Sequence, residues 1–408
     1  MRVLHLNTHP FGGSYEYATL LSTALADRGI ESRVLCKNPP PNGGRFFLNR
    51  LIRRISVSLS RQPWHGTRRL LLPPSPEELE DVDVVHLHTV ADWFDVPRWL
   101  EKLPGGMGVV VSIHDMWHVT GGCFLYRGCD LYSDTCTPCP ILRWPANRFL
   151  AADEQSRKLR AYHKCGARLV ANSRWLAEIA GQSPIAKACG GVRVIPPGID
   201  TTVFRPQDKS LSRKHLGLPA DAFVIVTGGA SLTDTNKNMP WLLDHLSQLP
   251  QPRSVIVLAF GHGAVRVPDH LDVRFTGGIR DRHDLARLLT AADVFVSASQ
   301  METYGMTLVE AMACATPVVA FRVGGIAEAA PDGQGAMLCA PQDGAALIDA
   351  IMKLRNSTQL REMLGTAGRE AVRVRNQLSS FSALFEGIYR ECVLFRESAE
   401  RKESALVL

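Results

Sequence analysis

The chain has 408 residues, which is enough for two or three domains that each bury a core of their own. Its 45% hydrophobic and 21% charged residues are typical of a soluble globular protein, and no apolar run approaches the roughly 20 residues of a membrane-spanning helix. The first residues resemble the opening of a strand and not a signal peptide. We therefore expect a cytoplasmic protein whose ten cysteines are free thiols or metal ligands rather than disulfides.

The N-terminal residues predict a strand, a glycine loop, a helix and a second strand. The strands are expected over 3–7 and 32–36, and the helix over 15–28, after the pair Gly12 and Gly13. This order is a βαβ unit, which begins a doubly wound parallel sheet. Because the loop lacks the G-x-G-x-x-G pattern, a dinucleotide-binding site is not indicated.

Residues 32–76 carry nine basic residues and no Asp or Glu, although the whole chain has a net charge of only +6. Within this segment, apolar residues recur at helical spacing from Phe47 to Leu59, with arginines between them. A basic amphipathic helix over 45–61 can lie on an anionic membrane surface. The alternative is a helix that faces the core and leaves its arginines in solvent. Nucleic-acid binding is not favoured, because no binding motif accompanies the charge.

A buried strand is predicted over 109–113, with His114 and Asp115 at its carboxyl end. Ligands of open α/β sheets bind at such ends, so His114 is a candidate active-site residue. The alternative is a structural histidine whose hydrogen bonds are satisfied within the fold.

Four cysteines follow within 17 residues, at positions 123, 129, 136 and 139. Four thiols so close together in a cytoplasmic chain are candidate ligands of a structural zinc ion. Free thiols or a redox pair are the alternatives. The proposed ligands are Cys123, Cys129, Cys136 and Cys139.

The second half of the chain predicts another doubly wound sheet, with strands over 223–229, 255–261, 274–277 and 293–297. A helix should begin at or just after Gly305, where a glycine permits a sharp turn. The first N–H groups of a helix have no partner within it and form an anion site, for which phosphate is the usual occupant. The predicted donors are Gly305, Met306, Thr307 and Leu308.

Glu302 precedes this helix start and Glu310 lies about one turn inside the helix. Two carboxylates beside a phosphate site are poor phosphate ligands but good acceptors of hydrogen bonds from hydroxyls. A nucleotide sugar has hydroxyls on both sides of its diphosphate. An ordinary strand–loop–helix with surface glutamates is the alternative.

The spacing of Glu302 and Glu310, with Tyr304 and Gly305 between them, resembles the E-x7-E signature of the GT-B retaining glycosyltransferases of family 4. The segment 315–328 resembles the next strand and glycine loop of that family. The segment 114–140 is similar to colanic-acid-type exopolysaccharide glycosyltransferases, which place a cysteine cluster after a His-Asp pair.

This resemblance implies an α/β GT-B fold of two facing Rossmann-like, doubly wound domains with a C-terminal helix that crosses back. Residues 1–196, completed by 377–408, would form the acceptor-side domain, and 197–376 the nucleotide-sugar-binding domain. The implied reaction is retaining transfer of a hexose-type sugar from a nucleotide diphosphate sugar to a glycan acceptor. The acceptor would be lipid-linked and belong to exopolysaccharide, capsule or lipopolysaccharide biosynthesis.

The same resemblance assigns roles to individual residues. His114 would face the donor sugar, Glu302 would hold sugar hydroxyls and Glu310 the ribose, while Gly12 and Gly13 approach the phosphate and acceptor. Family 4 enzymes usually place an Arg and then an Arg-Lys pair on the diphosphate. Only Lys237 clearly matches that pattern here, and Arg280 is a candidate replacement charge.

No cofactor is expected for catalysis. Two other classes of function are also compatible with the sequence. One is a metal-dependent hydrolase that uses His114, Asp115 and the cysteine cluster. The other is a non-catalytic GT-B-like protein that binds nucleotide without turnover.

Overall fold

The structure is a computed structural model that describes residues 1–37, 58, 60, 64–68, 71–251 and 254–406. The chain divides into two compact units, Met1–Gly198 with Leu378–Leu408, and Ile199–Gln377. The sequence predicted boundaries between 196 and 197 and between 376 and 377. The basic helix predicted over 45–61 lies outside the described residues, apart from Ser58 and Ser60.

The first unit contains a six-stranded parallel sheet in the order β2-β1-β3-β4-β5-β6. Its strands are β1 (Arg2–Asn7), β2 (Glu31–Cys36), β3 (Val84–Leu87), β4 (Gly108–Ile113), β5 (Arg168–Ala171) and β6 (Val192–Val194). Its helices are α1 (Gly13–Ala26), α2 (Val96–Leu100), α3 (Leu150–Lys164), α4 (Arg174–Gly181) and α5 (Pro184–Ala188). Strands β3 and β4 are buried along their whole length, as expected for a parallel sheet covered on both faces.

The second unit contains a second six-stranded parallel sheet, in the order β12-β11-β10-β7-β8-β9. Its strands are β7 (Phe223–Ser231), β8 (Val255–His262), β9 (Asp272–Gly277), β10 (Val294–Ser297), β11 (Val318–Phe321) and β12 (Ala336–Cys339). Its helices are α6 (Lys209–His215), α7 (Met239–Leu246), α8 (Arg282–Ala291), α9 (Met306–Ala313), α10 (Ile326–Ala329), α11 (Gly344–Asn356) and α12 (Thr358–Arg375). The two sheets confirm the predicted α/β, doubly wound architecture.

Short 3-10 turns connect some of these elements. They lie at Glu77–Leu79, Met116–Val119, Asp130–Ser133, Ala146–Arg148 and Thr235–Lys237.

The C-terminal helix, α13 (Leu378–Leu406), belongs to the first unit, as the predicted crossing-back helix requires. Its aromatic residues Phe381, Phe385 and Tyr389 are buried against β3, β4 and α1, where they meet Tyr17. Burial of these large rings is a main source of stabilisation for that face of the sheet. Within the described residues, no helix is both long and apolar enough to span a membrane.

Both sheets have a point at which the strand order reverses. In the first sheet, β1 lies between β2 and β3, so the chain switches sides between β1 and β3. In the second sheet, the corresponding switch lies between β7 and β10. Ligands of open α/β sheets bind outside the carboxyl ends of strands at such switch points. The loops after β1, β3, β7 and β10 are therefore the places to look for a site.

Candidate active site

Gly305 ends the loop after β10 and begins α9 in a left-handed conformation, with φ 100°. The predicted helix start is therefore confirmed. The N–H group of Leu308 donates to the Gly305 carbonyl at 3.0 Å, however, because the first turn is tight. This hydrogen bond removes Leu308 from the predicted anion site. The N–H groups of Gly305, Met306 and Thr307 remain its candidate donors.

Lys237 and Glu302 form an ion pair at this end of the sheet. The ammonium Nζ of Lys237 lies 2.5 Å from Oε1 of Glu302, and both side chains are more than two-thirds buried. Lys237 ends the 3-10 turn after β7, and Glu302 lies in the loop after β10. The structure therefore brings together, at the β7/β10 switch point, a cation and a carboxylate that are 65 residues apart in the chain.

Backbone contacts hold the loop of Glu302 on both sides. The amide Nδ2 of Asn236 donates to the carbonyl of Met301 at 2.8 Å, and the N–H of Gln300 donates to the carbonyl of Asn236 at 2.8 Å. On the other side, the N–H of Gly325 donates to the carbonyl of Glu302 at 2.9 Å. A Cβ atom at Gly324 would lie 2.0 Å from that same oxygen, so only glycine permits this approach. These contacts fix the Glu302 backbone before any ligand binds.

Glu310 lies one turn inside α9 and is buried. Its Oε1 accepts a hydrogen bond from Nη2 of Arg282 at 3.0 Å. The guanidinium of Arg282 also lies over the ring of Phe204, 4.7 Å from its centre. Arg280, the candidate replacement charge for the diphosphate, is exposed, and its role stays a prediction. The sequence did not indicate Arg282 as a partner of Glu310, because the two residues are 28 apart in the chain and only the packing of α8 against α9 brings them together.

In the first unit, His114 lies at the carboxyl end of β4, as predicted. It is half-buried, and its Nε2 lies 3.0 Å from Nδ1 of His88. The ring of Tyr17, from α1, meets the His114 ring edge to face at 4.8 Å. Burial lowers the pKa of His114 to about 4, so the ring is neutral at physiological pH.

Asp115 caps the 3-10 turn that follows β4. Its Oδ1 accepts a hydrogen bond from the N–H of Trp117 at 2.8 Å. Burial raises the pKa of Asp115 to about 7. A carboxyl group committed to capping a buried turn is a structural residue, which weakens the hydrolase alternative.

Gly12 and Gly13 form the start of α1, at the β1/β3 switch point. Gly12 has φ 90° and is the N-cap residue of the helix. A Cβ atom at either glycine would have no neighbour within 4 Å, so the loop is open on that side. Its geometry is compatible with close approach of a ligand to the backbone.

The four cysteines of the predicted zinc site line one cavity of about 210 Å³. The N–H of Gly121 donates to Sγ of Cys136 at 3.3 Å. A hydrogen bond from the Cys123 thiol lowers the pKa of Cys139, and the N–H groups of Ile141 and Leu142 lower it further. These contacts favour a thiolate at Cys139.

The four cysteine sulfurs are not spaced as a tetrahedral metal site requires. Zinc holds sulfur at about 2.3 Å, which places the sulfurs about 3.8 Å from one another. In the described part of the chain, the single set of three ligand atoms within 4.8 Å of one another is His5, His86 and His88. The four thiols thus line one cavity without already having the spacing of zinc ligands, and metal binding by them stays a prediction.

His5, His86 and His88 are fully buried and were not predicted as site residues. The H-x-H pattern that runs from β3 into the residue after it was the available signal, because residues two apart in an extended chain share a face. Parallel pairing then sets His5 of β1 opposite His86. Five of the six ring nitrogens of this set already have hydrogen-bond partners, so the set is a hydrogen-bonded cluster in the sheet.

Two family models match the chain. The model described as Glycosyltransferase Family 4 matches residues 11–203. The model described as Glycosyl transferases group 1 matches residues 222–357. The first match lies almost wholly in the first unit, and the second lies within the second unit.

Two relatives with similar sequences are named as glycosyltransferases. The chain is 29% identical over 366 residues to a D-inositol 3-phosphate glycosyltransferase 2 of Catenulispora acidiphila, which covers 81% of this chain and 79% of the relative. It is 30% identical over 258 residues to a D-inositol 3-phosphate glycosyltransferase of Acidothermus cellulolyticus, covering 58% and 56%. The chain thus matches little more than half the length of this second relative.

Solved structures share the fold at low sequence identity. A sucrose-phosphate synthase from Thermosynechococcus elongatus matches with a TM-score of 0.65 and 20% identity, over 96% of this chain and 98% of that one. HepE of Anabaena, in complex with UDP-glucose, matches with a TM-score of 0.61 and 17% identity, over 96% and 100%. Both units of the chain therefore match glycosyltransferase domain models, and the chain is a glycosyltransferase of the GT-B fold.

Proposed function

We propose that this glycosyltransferase is a retaining enzyme that moves a hexose-type sugar from a uridine diphosphate sugar to a hydroxyl of an acceptor. The main supporting observation is the meeting of Lys237, Glu302 and the start of α9 at the β7/β10 switch point. This arrangement presents a cation, backbone donors and a carboxylate to one ligand. A nucleotide diphosphate sugar has the matching anion and hydroxyls.

The diphosphate is the leaving group, and its negative charge grows as the glycosidic bond breaks. Lys237 and the N–H groups of Gly305, Met306 and Thr307 are fixed before the reaction, so they can stabilise this charge without reorganising. The Glu302 carboxylate holds the Lys237 ammonium in place until the donor binds. The uridine assignment is supported by the UDP-glucose complex of the neighbour HepE.

The two carboxylates are assigned to hydroxyl groups. Glu302 would accept hydrogen bonds from the transferred sugar, and Glu310 from the ribose. The ion pair with Arg282 holds one oxygen of Glu310 and sets the direction of its carboxylate. His114 is assigned to the donor sugar, and the open loop at Gly12 and Gly13 to the phosphate and the acceptor.

For the acceptor, we propose a lipid-linked glycan of exopolysaccharide, capsule or lipopolysaccharide biosynthesis. The similarity of segment 114–140 to colanic-acid-type enzymes supports this assignment. An inositol phosphate is the second candidate, because the curated relatives are named for that acceptor.

The donor assignment is tested by thermal denaturation in the presence of UDP, GDP, ADP and their glucose conjugates. A ligand that binds the folded protein at 100 times its Kd stabilises it by about 2.7 kcal/mol and raises the melting temperature. We expect the largest rise with the uridine compounds. A Glu302→Gln variant should retain the response to UDP and lose part of the additional response to the sugar. Glu362→Gln, at an exposed position of α12, is the matched control.

The reaction is tested with the donor that binds. Transfer is measured to a lipid-linked glycan and to inositol 3-phosphate in parallel, and the anomeric configuration of the product is determined by NMR. Retention of the donor configuration is expected. Inversion contradicts the mechanism, whereas nucleotide binding without transfer to any acceptor supports the non-catalytic alternative.

A further inference from the structure

Three histidines of the first unit form a hydrogen-bonded chain that ends at the candidate active site. Nδ1 of His5 lies 3.0 Å from Nε2 of His88, and Nδ1 of His88 lies 3.0 Å from Nε2 of His114. They come from β1, from the end of β3 and from the end of β4, three neighbouring strands of the sheet. The two inner histidines, His5 and His88, are fully buried.

Each ring of this chain carries a single proton. Burial lowers the pKa of His5 to about 3 and the pKa of His88 well below its usual value, so both rings are neutral. A neutral imidazole has one N–H donor and one acceptor nitrogen. Each of the two hydrogen bonds therefore has one of two directions, and the direction of one bond fixes that of the other.

His5, the inner end of the histidine chain, determines the direction of the two hydrogen bonds. The remaining nitrogen of His5, Nε2, is buried and has no hydrogen-bond partner among the residues that the structure describes. If His114 donated to His88 and His88 donated to His5, the Nε2 atom of His5 would be a buried N–H without an acceptor, which is rare in folded proteins. If His5 donates to His88 and His88 donates to His114, the Nε2 atom of His5 carries no proton. Its unpaired lone pair costs less free energy than an unpaired N–H would. The hydrogen bonds therefore run from His5 to His88 and from His88 to His114.

Other contacts hold His88 in place. The Nε2 atom of His118 lies 2.6 Å from the backbone carbonyl of His88, and Nδ1 of His118 lies 2.7 Å from the hydroxyl of Tyr162. The Tyr17 ring meets the rings of both His88 and His114 in an edge-to-face arrangement. These contacts leave the imidazole of His88 little freedom to rotate.

We propose that His5 and His88 are positioning residues that hold His114 as the tautomer with its proton on Nδ1. His114 then presents an N–H donor, so the sugar hydroxyl that it meets acts as the acceptor and directs its own proton elsewhere. The tautomer follows from this chain of histidines alone, whereas its contact with a sugar rests on the proposed function.

The tautomer is tested by NMR on the ligand-free protein, because long-range correlations between ring protons and nitrogens distinguish protonated from bare nitrogens. Wild-type His114 should carry its proton on Nδ1. His88→Asn retains a donor near the position of Nδ1 and should preserve this state, whereas His88→Leu should shift His114 toward the Nε2–H tautomer. A wild-type protein with the proton on Nε2, or no change in His88→Leu, would overturn the proposal.

The matched control is His86→Leu, two residues away on the same strand and equally buried. His86 forms hydrogen bonds with Tyr389 and Ser112, at 2.7 and 2.8 Å, and is not part of the histidine chain. This variant should lose stability as His88→Leu does but leave the His114 tautomer unchanged. A purely structural role of His88 predicts that both variants behave alike.

Kinetics then connect the tautomer with the reaction. We expect His88→Leu to lower kcat by about 10-fold, the effect of losing one hydrogen bond, and His88→Asn to restore most of it. If no nucleotide sugar is turned over, the proposed function fails while the NMR result still stands. If transfer occurs and His88→Leu keeps both kcat and the tautomer, the histidine chain has no role in positioning.

Discussion

Glu310 and Arg282 illustrate how one ion pair can prepare a binding residue. The carboxylate is buried, and one of its oxygens accepts from the guanidinium at 3.0 Å. An isolated buried carboxylate would be costly, so the arginine stabilises its charged form. The pair thereby gives a buried carboxylate of the second unit a charged partner and fixes one of its two oxygens.

Replacing Glu310 by Ala should therefore weaken donor binding. The loss of one charge-assisted hydrogen bond is about 1.5–3 kcal/mol, which corresponds to a 10- to 100-fold fall in kcat/KM, mostly through KM. Calorimetric titration with the nucleotide and steady-state kinetics measure both quantities. Glu362→Ala is the control on an exposed surface. Unchanged nucleotide affinity in Glu310→Ala would exclude the ribose assignment.

Lys237 should act mainly in the transition state, where the diphosphate charge grows. We expect Lys237→Met to lower kcat by about 100-fold, a typical cost of removing one preorganised electrostatic contact. Lys237→Arg keeps the charge and should retain more activity. The control is Lys353→Met, which breaks an exposed pair with Asp349 in the same unit and should be neutral. A Lys237→Met enzyme with normal kcat and raised KM would assign the lysine to ground-state binding instead.

At the scale of elements, β1, β3 and the turn after β4 carry buried histidines that are neutral in the folded protein. Burial lowers the pKa of His5 and His118 to about 3, and that of His86 and His88 well below the usual value. In the unfolded chain these rings have a pKa of about 6.5. Below that pH the unfolded state binds more protons than the folded state, so acid favours unfolding.

The free energy of unfolding should therefore fall as the pH drops below about 6.5, by about 1.4 kcal/mol per pH unit for each histidine that stays neutral. Asp115 acts in the opposite direction, because its raised pKa keeps a proton in the folded state. The four histidines together change the free energy of unfolding with pH more than the single carboxyl group does. Denaturant unfolding between pH 7.5 and 5.5 measures this slope. It should become shallower in His86→Leu and stay the same in His163→Gln, at an exposed position.

The cysteine segment is the second element with a measurable property. Its four thiols line one cavity, and backbone N–H groups already point at Cys136 and Cys139. We expect that small shifts of these loops close the thiols on zinc, to give about one zinc ion per purified chain. Chelation should then lower the melting temperature and leave nucleotide binding by the folded fraction largely intact.

Elemental analysis of the wild type and of Cys139→Ser measures the zinc content. Cys165→Ser, outside the cluster, is the control. Zinc-free wild-type protein with four titratable thiols would exclude the metal and leave free thiols or a redox pair.

At the scale of the whole molecule, charge is unevenly distributed along the chain. Residues 32–76 carry nine positive charges, so the remaining residues sum to 6 − 9 = −3. A lipid-linked acceptor would lie at a membrane surface, and each basic residue near an anionic leaflet contributes about 1 kcal/mol. The sequence of 45–61 therefore still predicts reversible membrane association.

Co-sedimentation with vesicles tests this prediction. Binding should be strong with anionic vesicles at low salt, weaken above roughly 0.15 M salt and be absent with neutral vesicles. An Arg50, Arg53, Arg54→Glu triple variant should abolish it. Charge reversal of Arg98, Arg160 and Lys164, which are exposed elsewhere in the first unit, is the control with the same net charge. Equal binding of both triple variants would show that net charge alone is responsible.

Local sequence was sufficient to predict the elements and the places where they end. The alternation of apolar strands with helical segments indicates two doubly wound sheets, because each backbone conformation has its own hydrophobic period. Gly305 marked the start of α9, since few other residues adopt its left-handed conformation. His114 was singled out by its place at the end of a strand, whereas the roles of Lys237, Glu302 and Glu310 were taken from the resemblance to family 4, and all four roles stay predictions.

Only the tertiary structure decided which side chains meet. His5 and His88 are 83 residues apart in the chain, and Arg282 and Glu310 are 28 apart, so their pairing depends on strand register and helix packing. The tight turn that occupies the Leu308 N–H, and the spread of the four sulfurs around their cavity, are likewise set by packing. Periodicity assigns a residue to a face of an element, whereas a hydrogen bond requires two atoms within about 3 Å, and that precision comes from the folded chain.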